Sequence, residues 1–201
     1  MSRHFGRLHW WPGETPFEVC VGAILTQNTA WTNVEKAIAN LKAAGALDCN
    51  KIATMPESRL AELIRPSGYF NQKAARLRDF ARFLLEGYEG RVEAMASRPI
   101  DDLREELLSL KGIGPETADS ILLYALEMPS FVIDAYTKRI FSRKGAFDGK
   151  IDYHDAKAYF EKRVERDVDG YNEFHAQIVM LGKDYCRKSD PRCDTCPIRG
   201  L

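Results

Sequence analysis

The stretch Leu110–Ala118, which reads Leu-Lys-Gly-Ile-Gly-Pro-Glu-Thr-Ala, decides the fold of this chain. A helical pattern ends at Leu110, and two glycines one residue apart allow a tight hairpin with unusual φ angles. Pro115 suits the first turn of a following helix, where its missing N–H costs nothing. The amides of Gly112, Gly114 and the residues that open this helix would then form a small anion pocket. A plain connection between two helices is the alternative, and this segment alone leaves both open.

Apolar residues at helical spacing continue on both sides of the hairpin. The segments with this pattern are 17–25, 34–41, 58–64, 74–85 and 100–110 before the hairpin, and 117–126, 135–141, 155–164 and 172–181 after it. No convincing run of alternating polar and apolar residues predicts a strand, and no repeat of fixed period occurs. We therefore predict an all-α fold.

The composition is that of an ordinary globular protein. Among 201 residues, 29 are Lys or Arg and 29 are Asp or Glu, which excludes a chain coated in basic residues. Hydrophobic residues make up 45%, which argues against disorder. No apolar run reaches the ~18 residues needed to cross a bilayer, and the N-terminus lacks the apolar core of a signal peptide. We therefore expect a cytoplasmic protein with no membrane partner.

Basic residues gather in three segments although the formal charge is zero. Residues 65–82 and residues 138–150 each carry five basic side chains against one acidic side chain, and the tail from Lys183 is also basic. Residues 86–106 are acidic and compensate. The pattern is explained either by solvated helix faces or by one basic face for a polyanion, and charge alone does not choose.

Further motifs stand in order around the hairpin. Residues 25–29 read Leu-Thr-Gln-Asn-Thr, residues 67–74 read Ser-Gly-Tyr-Phe-Asn-Gln-Lys-Ala, and residues 131–136 read Phe-Val-Ile-Asp-Ala-Tyr. With the hairpin and a Cys-rich tail, they resemble the helix-hairpin-helix base-excision DNA glycosylase superfamily, the endonuclease III-like proteins. The likeness is greatest to bacterial 3-methyladenine DNA glycosylases of endonuclease III type. It runs from about Trp10 to the end of the chain.

The resemblance implies two helical domains. A six-helix barrel would span residues 18–128 and contain the hairpin. Residues 1–17 would join residues 129–201 in a second helical domain that ends in an iron–sulfur loop. The implied partner is double-stranded DNA containing a damaged base, bound by a monomer in the bacterial or archaeal nucleoid.

Asp134 is the predicted catalytic residue. A carboxylate near the sugar stabilises the oxocarbenium character of the transition state and can orient or deprotonate the attacking water. The target base must first leave the stack. An N-cap for the helix that begins at Ala135 is the simpler role for Asp134, and both roles can coexist.

Glu116 stands where family members that also cut the DNA backbone carry a lysine. A glutamate has no amine and cannot form the Schiff base of that reaction. The resemblance therefore implies a monofunctional glycosylase without AP lyase activity, with Lys111 and Lys138 as the nearest substitutes in sequence. The alternatives are an endonuclease III-like enzyme for oxidised pyrimidines or mismatches, and a non-catalytic helix-hairpin-helix DNA-binding protein.

Three tryptophans are candidates for the base pocket. Trp31 occupies the position of an aromatic that lines this pocket in the family, and Trp10 and Trp11 would be supporting walls. An N3-alkylated purine is cationic, so that an indole face gains a cation–π interaction with it. Core packing is the alternative role for each tryptophan.

The resemblance also assigns DNA contacts. Gln27 would fill the gap left by the flipped nucleotide, although a buried and satisfied polar residue is the alternative. Tyr69 would be the wedge on the opposite strand. Lys73, Arg76 and Lys138 would contact phosphates, and salt should weaken this interaction.

The Cys-rich tail predicts a metal site. Cys186, Cys193 and Cys196 are separated by six and then two residues, which matches the family's [4Fe–4S] loop. The fourth ligand would follow Leu201 directly, and we expect the natural chain to continue there. Zinc on the three cysteines and His175 is the alternative. The resemblance further suggests a monovalent cation at the hairpin.

Overall fold

The computed structural model of this chain describes residues 1–8, 10 and 13–200. The helices are α1 (Ser2–Phe5), α2 (Pro16–Leu25), α3 (Trp31–Ala43), α4 (Cys49–Thr54), α5 (Glu57–Leu63), α6 (Phe70–Tyr88), α7 (Ile100–Ser109), α8 (Pro115–Ser120), α9 (Ala135–Arg143), α10 (Tyr153–Glu161) and α11 (Val168–Asp184). Shorter 3₁₀ turns lie at Arg65–Ser67 and Val92–Ser97, and Ile121–Ala125 is π-helical. Because these residues contain no strand, the all-α prediction is confirmed. In the same residues, no helix combines the length and apolar character needed to cross a membrane.

The chain divides into two compact units. We call Trp11–Met128 the hairpin unit, because it contains residues 110–118. We call Met1–Trp10 together with Pro129–Leu201 the aspartate unit, because it contains Asp134.

The beginning of the hairpin unit differs from the predicted boundary at residue 18. Residues 13–17 fold with this unit, whereas the sequence prediction places them with the C-terminal half. The Thr15 side chain caps α2 by accepting a hydrogen bond from the Glu18 N–H at 3.2 Å, and Pro16 occupies the first turn. These residues therefore start the helix that follows them.

Helix α6 is central to the hairpin unit. It packs against α2, α4 and α5, and its inward face carries the fully buried Leu77, Phe80 and Leu84 at helical spacing. Helix α2 also packs against α8 and against Ile121–Ala125. Helix α2 and helix α8, which follows the hairpin, therefore share one core.

Helices α9 and α11 pack together in the aspartate unit. A β-carbon at Gly182 would overlap the Tyr136 ring, so glycine at this position allows the close approach of the two helices. The Phe131 and Phe160 rings stack with centroids 4.6 Å apart, and Tyr171 meets Phe131 edge-on. This aromatic core immediately precedes Asp134 in the chain.

Candidate active site

The hairpin between α7 and α8 is built on one left-handed glycine. Gly112 has φ +86°, whereas Gly114 has φ −92° in an extended conformation open to any residue. The expectation of unusual φ angles therefore holds for Gly112 alone. Gly114 is the N-cap of α8, and Pro115 occupies its first turn.

Gln27 is hydrogen-bonded to the hairpin. Its Nε2 donates to the Gly112 carbonyl and to the Thr117 Oγ1, both at 2.9 Å. Its Oε1 accepts a hydrogen bond from Arg76. The Leu110 carbonyl of the same turn accepts from the Ile113 N–H. Gap filling by Gln27 and a cation at the hairpin stay predictions.

Tyr69 projects from the loop that precedes α6. Gly68 and Tyr69 both have positive φ, at +65° and +45°. The Tyr69 side chain is 67% exposed, although it is large and hydrophobic. This placement suits a side chain that enters DNA, and the wedge role stays a prediction.

Lys73 lies inside the hairpin unit, where its exposure is only 1%. Its Nζ donates to the carbonyls of Leu25 at 2.8 Å and Ser67 at 2.7 Å. Burial, followed by repulsion from Arg76, lowers the pKa of the Lys73 ammonium to about 8. Its ammonium is therefore occupied by backbone carbonyls here, and the predicted contact of Lys73 with DNA phosphates stays a prediction. The ammonium connects the end of α2 to the loop before Tyr69.

Trp31 is the first residue of α3 and borders a shallow depression of about 400 Å³ that is open to solvent, which we call the cavity. Its indole packs over Gly22, where a β-carbon would lie 3.4 Å from Trp31 Cη2. Three carboxylates and one ammonium also line the cavity, from Glu14, Glu18, Glu35 and Lys42. Lys42 Nζ lies 2.9 Å from both Glu14 and Glu18. Aromatic surface and excess negative charge therefore occur together beside Trp31.

Glu116 lies in the first turn of α8 and is exposed. A carboxylate near a helix N-terminus interacts favourably with the helix dipole. The side chain at this position is therefore accessible from the surface, but it carries no amine.

Asp134 caps α9 from a buried position. Its Oδ1 accepts hydrogen bonds from the Thr137 N–H at 2.6 Å and the Thr137 Oγ1 at 2.7 Å. Its Oδ2 lies 3.6 Å from His175 Nε2 on α11. The capping role is therefore present, and the second carboxylate oxygen faces a histidine.

The surroundings of Asp134 favour its ionised form. Burial would raise the pKa of this carboxyl, but the His175 ring and the two Thr137 bonds outweigh burial and lower that pKa below its usual value. From the sequence, His175 is a candidate only as a zinc ligand, and its contact with Asp134 is not predicted. A polar residue on the inward face of α11, four residues after the buried Tyr171, was the available signal.

His175→Gln is expected to weaken the protein at neutral and mildly acidic pH, and to have progressively less effect as the pH falls below the pKa of Asp134. A folded-state pKa below the unfolded value of about 3.9 stabilises the native state above that pH, and this contribution is lost as pH falls through the folded pKa. Without His175, burial raises the pKa of Asp134, so the loss occurs at higher pH. Urea unfolding should give a wild-type advantage that is fully present once the pH exceeds the raised Asp134 pKa of the variant, and that shrinks toward about pH 3.

The matched control for this experiment is the same substitution in an Asp134→Asn background. There the effect of His175→Gln should not change with pH over the same range. A wild-type advantage without pH dependence would contradict the pairing of His175 with the Asp134 carboxylate.

Side chains of α10 hold the extended segment that leads to Asp134. The Phe131 N–H donates to Glu161 Oε1 at 3.1 Å, and the Ile133 N–H donates to Tyr153 Oη at 3.4 Å. Lys157 Nζ, from the same face of the helix, donates to Ser130 Oγ. One helix face therefore satisfies backbone groups that a neighbouring strand would otherwise pair.

Trp10 and Lys138 belong to the aspartate unit. Lys183 Nζ lies 5.8 Å from the centroid of the Trp10 ring. Lys138 Nζ donates to the Ile151 carbonyl at 2.9 Å and is half-buried. Trp11 lies outside the described residues. The pocket and phosphate roles of these residues stay predictions.

The three tail cysteines do not form the predicted ligand set. Cys193 is exposed, and Cys186 and Cys196 are half-buried. Within residues 1–8, 10 and 13–200, no three His, Cys, Asp or Glu side chains come together as metal ligands. Binding of a [4Fe–4S] cluster by Cys186, Cys193 and Cys196 stays a prediction. His175, the fourth ligand of the zinc alternative, faces Asp134 in this structure.

Basic residues in α9 and at its C-cap bind the backbone of this cysteine loop. Arg139 Nε donates to the Cys186 carbonyl at 2.8 Å, and Arg143 Nη1 donates to the Arg187 carbonyl at 2.6 Å. Lys144 Nζ donates to the Ile198 carbonyl at 2.8 Å. These cations therefore fix the loop to the helix that Asp134 caps.

A sequence profile described as "HhH-GPD superfamily base excision DNA repair protein" matches residues 21–166. The matched region contains the segment around Gln27, the hairpin and Asp134. The chain belongs to the HhH-GPD superfamily. The predicted resemblance to helix-hairpin-helix base-excision DNA glycosylases is thereby confirmed.

Individual HhH-GPD relatives are similar in sequence to this chain along most of its length. A candidate DNA repair glycosylase of Methanocaldococcus jannaschii is 52% identical over 98% of this chain and 89% of its own length. The endonuclease III of Thermotoga maritima is 31% identical over 90% of this chain and 79% of its own length. A 3-methyladenine DNA glycosylase of H. pylori, solved with 1,N6-ethenoadenine, is 36% identical. It has a TM-score of 0.76 and 87% coverage of both chains.

As an HhH-GPD protein, the chain is a DNA glycosylase by family. The profile match includes parts of both units, whereas Trp10 and the tail cysteines lie outside it.

Proposed function

We propose that this HhH-GPD protein is a monofunctional glycosylase that removes an alkylated purine, such as 3-methyladenine, from double-stranded DNA. The observation that carries the proposal is the buried carboxylate of Asp134, held by Thr137 and His175 and kept ionised. A fixed negative charge is what a reaction that develops positive charge on a sugar requires.

In the proposed reaction, Asp134 acts on the sugar of a nucleotide that has left the stack. The bond between the base and C1′ breaks, and its electron pair leaves with the base, which becomes neutral if it was an alkylated cation. The carboxylate stabilises the oxocarbenium character at C1′. Water then adds to C1′, and Asp134 accepts the proton that water releases. The products are the free base and an abasic site.

Two observations support an alkylated purine as the base. The 3-methyladenine DNA glycosylase of H. pylori is 36% identical to this chain. In addition, Trp31 borders a cavity whose charged lining is predominantly acidic. A cationic base gains from stacking on indole and from nearby carboxylates, whereas a neutral oxidised pyrimidine gains less. Trp10 and Trp11 remain candidates for the base pocket from the sequence.

The proposed DNA contacts use backbone groups as well as side chains. The amides of Gly112 and Gly114 would bind phosphate without adding to the charge of the chain. Gln27 would fill the gap, Tyr69 would insert as the wedge, and Lys138 would contact phosphate. One copy of the chain would bind one damaged site.

The absence of lyase chemistry follows from Glu116. Bifunctional enzymes need an amine that attacks C1′ and forms a Schiff base, and a glutamate cannot supply one. Water is therefore the nucleophile in the proposed reaction.

The test is a panel of duplexes that carry 3-methyladenine, an oxidised pyrimidine, uracil or a mismatch. We expect release of the alkylated purine and strand cleavage only after alkali, because hydrolysis leaves an intact abasic site. With borohydride, the wild-type enzyme should give no covalent adduct, whereas Glu116→Lys should give one. Glu116→Gln, which adds no amine, is the matched control. An efficient wild-type adduct would overturn the monofunctional assignment.

The second candidate is an endonuclease III-like enzyme for oxidised pyrimidines, favoured by the 31% identity with the endonuclease III of Thermotoga maritima. Release of the oxidised pyrimidine with no release of 3-methyladenine, in the same panel, would establish it. Binding of every duplex without release of any base would instead indicate a non-catalytic DNA-binding protein.

A further inference from the structure

The Arg76 guanidinium has a hydrogen-bond partner inside the hairpin unit. Arg76 lies on α6, one helical turn after the buried Lys73, and is half-buried. Its aliphatic stem and Nε pack on Gly112, where any β-carbon would overlap them. Its Nη1 donates to the Oε1 of Gln27. The guanidinium is therefore directed at Gln27 and the hairpin.

The Gln27 amide is oriented by these contacts at both ends. Arg76 binds the Oε1, and the Nε2 donates to the Gly112 carbonyl and the Thr117 hydroxyl. A hydrogen bond from a charged donor to the oxygen is stronger than one from a neutral donor. It also selects one of the two orientations of the amide, because only the oxygen can accept from Arg76.

Gly112 is essential to this arrangement for two reasons. Its φ of +86° is the conformation that favours glycine, and its bare Cα leaves the space that the Arg76 side chain occupies. The hairpin, Gln27 and α6 therefore meet through Arg76.

We propose that Arg76 is a positioning residue. It holds the Gln27 amide in the orientation from which this side chain enters the gap left by the flipped nucleotide, and it does not contact phosphate. The proposal rests on the role proposed for Gln27 above. It replaces the phosphate contact that the basic segment of the sequence suggests for Arg76.

The test compares Arg76→Met with wild type in three measurements on a duplex with 2-aminopurine beside the lesion. These are base opening by fluorescence, base release with enzyme in excess, and the slope of log affinity against log salt concentration. We expect base opening and release to fall about tenfold, the loss typical of one charged hydrogen bond. The salt slope should not change, because no phosphate contact is removed.

Two variants serve as references. Arg78→Met removes another guanidinium from the same helix, where Arg78 pairs with Glu57 at 3.3 Å, and should leave opening and release near wild type. Arg76→Lys retains one charged donor and should restore part of the lost opening. If Arg76→Met fails to fold, the same three measurements are made on Arg76→Lys.

A salt slope reduced by about 0.9 in Arg76→Met would overturn the proposal, because that is the loss expected for one phosphate contact. Unchanged base opening in Arg76→Met would also overturn it. Gln27→Ala tests the gap-filling role of Gln27 separately from the positioning role of Arg76. If Gln27→Ala lowers opening and Arg76→Met does not, only the positioning role fails. If neither variant lowers opening, the gap-filling role of Gln27 fails.

Discussion

Asp134→Asn is expected to lower base release by about 10²–10⁴-fold, the range for losing a charged or proton-accepting catalytic group. The neutral amide can neither balance positive charge at C1′ nor accept a proton from water. Release should be measured with enzyme in excess over the lesion duplex. Duplex affinity, measured by fluorescence anisotropy, should remain within about twofold, because no phosphate contact depends on this side chain.

The substitution is a clean test because asparagine is as good an N-cap as aspartate. Its side-chain oxygen can still accept the Thr137 N–H, so α9 should retain its first turn. Asp152→Asn is the matched control, since Asp152 caps α10 by accepting the His154 N–H at 2.7 Å. This control should release base at the wild-type rate. Near-normal release by Asp134→Asn would remove Asp134 from the mechanism.

The hairpin and the cap were predictable because each depends on local sequence. Positive φ at Gly112 and the missing N–H of Pro115 constrain only a few neighbouring residues. An aspartate directly before a helical segment is an N-cap signal for the same reason. The structure contains both features where the sequence places them.

The roles of the cations on α6 were not predictable from charge. Lys73 and Arg76 belong to one basic segment, yet helical phase turns Lys73 into the core and Arg76 toward the hairpin. Their partners are a carbonyl of Leu25 and the side chain of Gln27, which lie more than forty positions earlier in the chain. Such partners become evident only when the helices are packed.

The contact between His175 and Asp134 was missed for a similar reason. The two residues are separated by a sequence interval of forty-one, and α9 and α11 bring them to 3.6 Å. The close approach at Gly182 and Tyr136 makes that packing possible. By contrast, regular cysteine spacing suggested a ligand set that the described residues do not form.

Asp119→Ala is expected to destabilise the protein by about 3–5 kcal/mol, the usual cost of removing one partner from a buried ion pair. Asp119 on α8 is fully buried, and its two oxygens accept from Arg104 Nε at 2.8 Å and Arg104 Nη2 at 3.1 Å. This two-point contact joins the two helices that flank the hairpin. In the variant, the largely buried guanidinium of Arg104 would lose that carboxylate. Urea unfolding at neutral pH measures the change in free energy.

The double variant Arg104→Met/Asp119→Leu distinguishes the loss of the Arg104–Asp119 ion pair from the loss of buried side-chain volume. Replacing both charges with apolar groups of similar size should recover most of the lost free energy, because no charge then remains buried. Arg98→Met is the exposed control, since Arg98 pairs with Glu106 at the surface, and its effect should be much smaller. If Asp119→Ala were no more destabilising than Arg98→Met, the ion pair would not hold the hairpin helices together. If the prediction holds, Asp119→Ala should also weaken duplex binding, because the phosphate contact proposed for the Gly112 and Gly114 amides needs α7 and α8 to be fixed.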